Sequence, residues 1–166
     1  MKTSNILMLV AALAAGSVLT AGETKTSDVT VKFKESEKFT DAASRFNGGT
    51  DDSYLDGLST HLQKMADKQI PPGYKLEVTI TDVDLAGDFH PGNASMQDVR
   101  IIKDIYVPRI TLFFRLIDAD GKVVKEGERR LTDLNFMSNT NLIDRNLPLY
   151  YDKALISDWV RREFKS

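Results

Sequence analysis

The chain has 166 residues, with 22 Lys and Arg against 24 Asp and Glu, two His and no cysteine, for a formal net charge of −2 at pH 7. The lack of cysteine excludes disulfides, thiolate metal sites, cysteine nucleophiles and acylation of a thiol. Charges of both signs are interspersed as on a soluble surface, and no basic cluster marks a nucleic-acid footprint, so no nucleic-acid partner is expected.

The first 22 residues set the address. Residues 1–5 carry one lysine and no acid, residues 6–15 are an unbroken apolar run, and residues 16–22 are small and weakly polar. That is the order of a secretory signal peptide. The apolar run is shorter than the roughly 20 residues a membrane span needs. Cleavage is expected near Ala21 or Gly22; the alternative is an uncleaved N-terminal anchor. Leu19-Thr20-Ala21-Gly22 resembles a bacterial lipidation box, but no cysteine follows it, so no lipid anchor is expected. The expected product is a single domain, residues 23–166, in a bacterial periplasm or secreted. It carries 21 basic and 24 acidic residues and no later segment apolar enough to cross a membrane.

Residues 29–33 alternate, with Val29, Val31 and Phe33 on one face, and predict a half-buried strand. Phe46-Asn47-Gly48-Gly49-Thr50 is turn chemistry, and Asp51-Asp52-Ser53 suits the start of a helix, where short polar side chains cap free N–H groups. Tyr54, Leu55, Leu58, Leu62, Met65 and Ala66 recur at helical spacing until Pro71-Pro72-Gly73 stops them. Leu76, Val78 and Ile80 form the inner face of a second strand, and the apolar phase flips at Asp82-Val83-Asp84-Leu85, which predicts a bulge. Residues 86–97 read as a loop. Residues 99–117 are β-rich but interrupted by Pro108, so they form either an edge strand or two strands joined at a bulge. Ile110, Leu112, Phe114 and Leu116 make a clear inner face there.

Asp118-Ala119-Asp120-Gly121 predicts a hairpin turn, and residues 123–136 return as the last strand, with Leu131, Leu134 and Phe136 directed to the core. An Asn-rich loop, residues 138–148, precedes a second helix over 152–164 with an apolar stripe of Leu155, Ile156, Trp159, Val160 and Phe164. The order β-α-β-β-β-α predicts an α+β two-layer sandwich: a mainly antiparallel sheet with both helices on one face.

Few residues suggest chemistry. Asp82 and Asp84, two apart on a strand, point to one face and can divide acid and base work or share a cation; the alternative is a solvated strand end. Asp133 joins them if the strands pair suitably. Asp118-Ala119-Asp120-Gly121 fails as a calcium loop. With Gly121 at the invariant glycine, position one becomes Leu116 and position twelve Gly127. Asn47-Gly48-Gly49-Thr50 lacks the lysine of a phosphate loop, and two acids follow it. His61 flanks the apolar stripe of its helix and His90 lies in a loop; neither belongs to a ligand motif. No Gly-x-Ser-x-Gly elbow occurs in residues 23–166. Phe113 points away from Phe114. If exposed, it marks a partner or ligand face; otherwise the loops 86–97 and 138–148 cover that side.

The runs Thr81-Asp82-Val83-Asp84-Leu85-Ala86-Gly87, Val99-Arg100-Ile101, Tyr106-Val107-Pro108-Arg109, Asp118-Ala119-Asp120-Gly121 and Leu131-Thr132-Asp133, with the closing Trp159 helix, are together similar to an uncharacterised family of exported bacterial proteins, domain of unknown function 3016. The resemblance spans about 29–164. It implies export and a single domain and transfers no functional residue. A looser likeness, at the level of fold alone, is to periplasmic accessory proteins of envelope transport.

The leading expectation is a non-catalytic binding or accessory protein of the cell envelope, with its partner on the Phe113 face or an edge strand and with no cofactor or metal. One alternative is a small hydrolase using Asp82, Asp84 and Asp133, which requires them to converge in one pocket. Another is a cation-stabilised structural domain.

Overall fold

The computed structural model describes residues 28–42, 52–89, 100–138 and 147–165. Outside them lie residues 1–22, expected as a signal peptide, Asn47-Gly48-Gly49-Thr50, expected as a turn, Asp51, His90 and most of the two loops expected over 86–97 and 138–148. Strand β1 (Asp28–Phe33) leads through a short 3-10 turn to helix α1 (Asp52–Ala66), then β2 (Lys75–Asp84). Two short strands, β3 (Asp88–Phe89) and β4 (Arg100–Ile101), precede β5 (Arg109–Ile117), β6 (Val123–Thr132) and helix α2 (Tyr150–Glu163).

The main sheet runs β1-β2-β5-β6, and β3 pairs with β4 apart from it. β1 and β2 are parallel because α1 carries the chain back between them. The other two pairings are antiparallel. Both helices pack on one face, giving the expected α+β two-layer arrangement. Leu58 and Leu62 of α1 and Ile156, Trp159 and Val160 of α2 close over Leu76, Val78, Ile80, Leu112 and Phe114 of the sheet.

The apolar phase flip in β2 is a register step between Ile80 and Asp82: Thr81 is the extra residue, so both Ile80 and Val83 are buried. Pro108 stands just before β5 and costs the ladder no hydrogen bond. The β-rich stretch is therefore two strands in different sheets, and β5 is central. The last strand is shorter than its pattern suggests. It ends at Thr132, where the carboxylate of Asp133 accepts the Asn135 N–H at 2.9 Å and bends the chain. Leu134 is consequently 72% exposed, while Phe136 is buried in a smaller cluster with Ala86 and Val107.

At the hairpin, Asp118 Oδ1 accepts the N–H groups of Asp120 and Lys122 at 3.0 and 2.9 Å, and Gly121 takes φ 83°. Helix α2 starts two residues before the sequence pattern, with Leu149 rather than a polar cap at its N-terminus, which places Asp152 inside the first turn.

Candidate functional site

The three aspartates are each engaged in a local bond. Asp82 accepts the N–H and hydroxyl of Thr40 at 2.8 and 3.0 Å, tying the segment after β1 to β2. Asp84 accepts Arg109 Nη1 at 2.8 Å, directly across the ladder. Asp133 makes the turn that ends β6. Asp82 and Asp84 share one face of β2, but Asp133 lies beyond β5, since Arg109 pairs with Asp84 on one side and with Thr132 on the other. Asp84 lines a depression of 300 Å³ with Asp41, Asp88 and Arg109; Asp133 lines a separate groove of 590 Å³. The convergence a carboxylate hydrolase needs is not made. Among the described residues no group of three or more His, Asp or Glu is placed to hold a metal ion.

Phe113 stands on the sheet face opposite the helices, between Thr79 of β2 and Glu128 of β6, and is 39% exposed. Charged side chains frame it. Arg115 pairs with Glu126 at 3.2 Å and Lys75 with Glu77 at 3.0 Å on the same face. Such exposed pairs add little to stability, but they hold a patterned surface around one aromatic ring.

His61 Nε2 lies 2.7 Å from Ser157 Oγ, which would suit a base and its nucleophile. The Ser157 hydroxyl, however, donates to the Lys153 carbonyl at 2.9 Å, so the imidazole gives the proton instead of taking one. Burial, then the charges of Lys153, Lys64 and Lys68, hold the His61 pKa below its usual value and keep the ring neutral. The pair is a bond between the two helices.

Sequence reasoning missed a half-buried polar knot. The Arg100 guanidinium clasps Asp41 with both Nη atoms, at 2.6 and 3.0 Å, and donates to the Gly87 carbonyl at 2.7 Å. It also stacks 4.6 Å over the Phe89 ring. Beside it Asp152, 3% exposed, accepts the Ala86 N–H at 2.9 Å. Burial pushes the Asp152 carboxyl up to about 6, opposed by its backbone hydrogen bonds and by Arg100. The knot borders a cavity of 180 Å³ lined mainly by apolar side chains. One signal could have found it: Asp152 precedes Leu155, Ile156 and Trp159 by three, four and seven residues, so it sits in phase with the buried stripe. For Arg100 no such periodicity exists.

The fold is thus a two-layer α+β domain with one sheet face left open by its helices. The family model described as "Protein of unknown function (DUF3016)" matches residues 27–162, and the chain belongs to that family. No curated protein matches the chain. Among solved structures it is similar to a point variant of the PelC dodecamer from Paraburkholderia phytofirmans, at 15% identity and TM-score 0.38 over 86% of this chain and 87% of that one. A second PelC dodecamer structure from the same organism gives 15% identity and TM-score 0.33 over 84% and 90%. A minor lipoprotein from Acinetobacter baumannii gives 9% identity and TM-score 0.26, also over 84% and 90%. Likeness at this level carries no functional argument.

Proposed function

We propose that the protein is exported, to the periplasm or beyond, and acts there without catalysis by holding a protein partner of the cell envelope on the open face of its sheet. The observation that carries this reading is Phe113, a large aromatic side chain 39% exposed at the centre of a sheet face framed by charged residues. More than a third of that side chain is left to water in the isolated fold, and burying the rest in a partner contributes about 1–3 kcal/mol. The commitment of Asp82, Asp84 and Asp133 to local bonds supports binding over carboxylate chemistry.

The test is a photocrosslinking amino acid at position 115, exposed and beside Phe113 on the same sheet face, in the exporting cell, followed by mass spectrometry. One dominant envelope protein is the expected capture. Phe113→Asp is expected to stay folded at a cost of about 1–3 kcal/mol, since part of the ring is buried and the new carboxylate faces Glu128 across the ladder, and to lose that capture. A variant that unfolds would make Phe113 a core residue, and unchanged capture would remove the face from consideration.

A further inference from the structure

A groove of 590 Å³ runs between β6 and α2. One wall is residues 130–135 taken consecutively. Residues 130–132 are the end of β6, so side chains of both sheet faces and the strand edge itself line the groove there, and residues 133–135 are the turn that follows. β6 is the outermost strand of the sheet, so among the described residues alternate N–H and C=O groups along that edge have no strand partner. The facing wall is Leu155, Asp158, Trp159 and Arg162, one face of α2.

Two of the three acids of this groove are paired with bases close by, and its two arginines are largely free. Asp133 accepts the Asn135 N–H, Asp158 is paired with Arg161, and Glu163 is held by Lys125 and Arg129 at 2.8 Å each. Arg130, by contrast, is exposed and makes no hydrogen bond or ion pair among the described residues. Arg162 is 82% exposed and comes no nearer than 3.9 Å to Asp158. Trp159 is 5% exposed, and its indole N–H is buried without an acceptor. A buried N–H left unpaired costs about 1–3 kcal/mol. Leu134, 72% exposed at the rim, adds an apolar contact. What remains largely unpaired at the surface is positive and lies alongside a free strand edge.

We propose that this groove takes an extended acidic segment of a partner protein, which adds to the edge of β6 as a fifth strand and directs its carboxylates at Arg130 and Arg162. Main-chain pairing along the edge supplies affinity and the two arginines supply the choice of an acidic sequence. The inference rests on the reading of the protein as a binding module, and it adds a second surface with a defined partner chemistry.

Trp159 is the only tryptophan of the chain, so its indole N–H gives a single resonance. Arg130 lies on the sheet face away from the helices and Arg162 on α2, so the exported protein is titrated with three capped octapeptides that put their charges on both faces of a strand: one repeating Glu-Glu-Val-Val, one repeating Lys-Lys-Val-Val, and one repeating Glu-Glu-Pro-Pro. The glutamate–valine peptide is expected to move the indole resonance saturably, and the other two to leave it in place. Arg130→Glu and Arg162→Glu, both at exposed positions, are each expected to weaken that binding by about tenfold or more. Equal binding of the lysine peptide, no movement of the indole, or indifference to both charge reversals overturns the proposal. Binding of the proline peptide as tightly as the valine one overturns strand addition, because proline cannot donate to a ladder. Self-association of the peptide-free protein that Arg130→Glu abolishes makes the occupant a second copy and also overturns it. No capture by the probe at position 115 together with a saturable indole shift strikes the sheet-face reading alone, and capture there with no indole shift strikes the groove alone.

Discussion

Gly87 and Gly121 share a backbone conformation and differ in their surroundings, which separates two reasons for a glycine. Both hold positive φ, 81° and 83°. A Cβ on Gly121 meets nothing within 4 Å, so only the conformation opposes a side chain there. A Cβ on Gly87 falls 2.6 Å from the Ile101 carbonyl oxygen and 2.6 Å from the end of the Ile102 side chain. The methyl carbon of Ile102 can turn away, but the backbone oxygen is fixed in the β3–β4 pairing. Gly87 also donates to the Tyr106 carbonyl and accepts from Arg100, so the turn cannot shift without loosening the knot. Gly121→Ala is therefore expected to cost about 1 kcal/mol. Gly87→Ala is expected to cost about 3 kcal/mol or more. Urea denaturation of the two variants checks the order, and equal losses would mean that the Gly87 turn has room to relax.

At the scale of elements, the end of α2 is fastened to β6 by one carboxylate. Glu163 receives Arg129 through two nitrogens at 2.8 and 2.9 Å and Lys125 at 2.8 Å. The Arg129 guanidinium lies 5.1 Å over the Phe114 ring, in the space left by Gly127, the cross-strand neighbour of Phe114. The hydrogen bonds from Arg129 are the main reason the Glu163 pKa falls to about 2. A folded value below the ordinary 4.5 means that the clasp stabilises fully above that pH and is lost as pH falls toward 2. The partners are partly solvated, so the expected loss for Glu163→Gln at pH 7 is about 1–2 kcal/mol, less than the whole shift implies. Denaturation at pH 7 and again near pH 2 checks it: the gap between wild type and variant closes in acid.

This clasp also marks the limit of what the chain discloses before folding. The stripe that places Trp159 and the flip from Ile80 to Val83 are readable because the periods of helix and strand repeat along the sequence. The overrun of the last strand to Phe136 has the same origin, since apolar residues recur past the point where the Asp133 turn ends the ladder. Nothing local tells Glu163 that Arg129 lies beside it, 34 residues away. Asp84 and Arg109 meet, and Asp133 stays apart, through a register that only pairing sets.

Across the whole molecule, the knot around Asp152 joins parts that the sheet alone leaves independent. Asp41 follows β1 and bridges to Asp84 of β2, Ala86 and Gly87 follow β2, Arg100 belongs to β4, and Asp152 opens α2. The groups facing the Asp152 carboxyl are the Ala86 N–H, the Arg100 guanidinium and, with opposite effect, the Asp41 carboxylate. Arg100 is engaged by Asp41 through both Nη atoms, which leaves Asp152 only part of its charge and most of the cost of burial. Since the folded value of about 6 lies above the ordinary 3.8, the protonated carboxyl is the one the fold prefers. Its contribution is complete below about 3.8 and is lost as pH rises through 6. Asp152→Asn keeps an oxygen to accept the Ala86 N–H and removes the charge. It is expected to raise stability by about 1–3 kcal/mol at pH 7.5 and to change little below pH 4. Thermal unfolding of the two proteins across that range checks both the sign and the midpoint. A destabilised variant at pH 7.5 would mean that Arg100 needs the second carboxylate, and that the knot is held by its charges in spite of their burial.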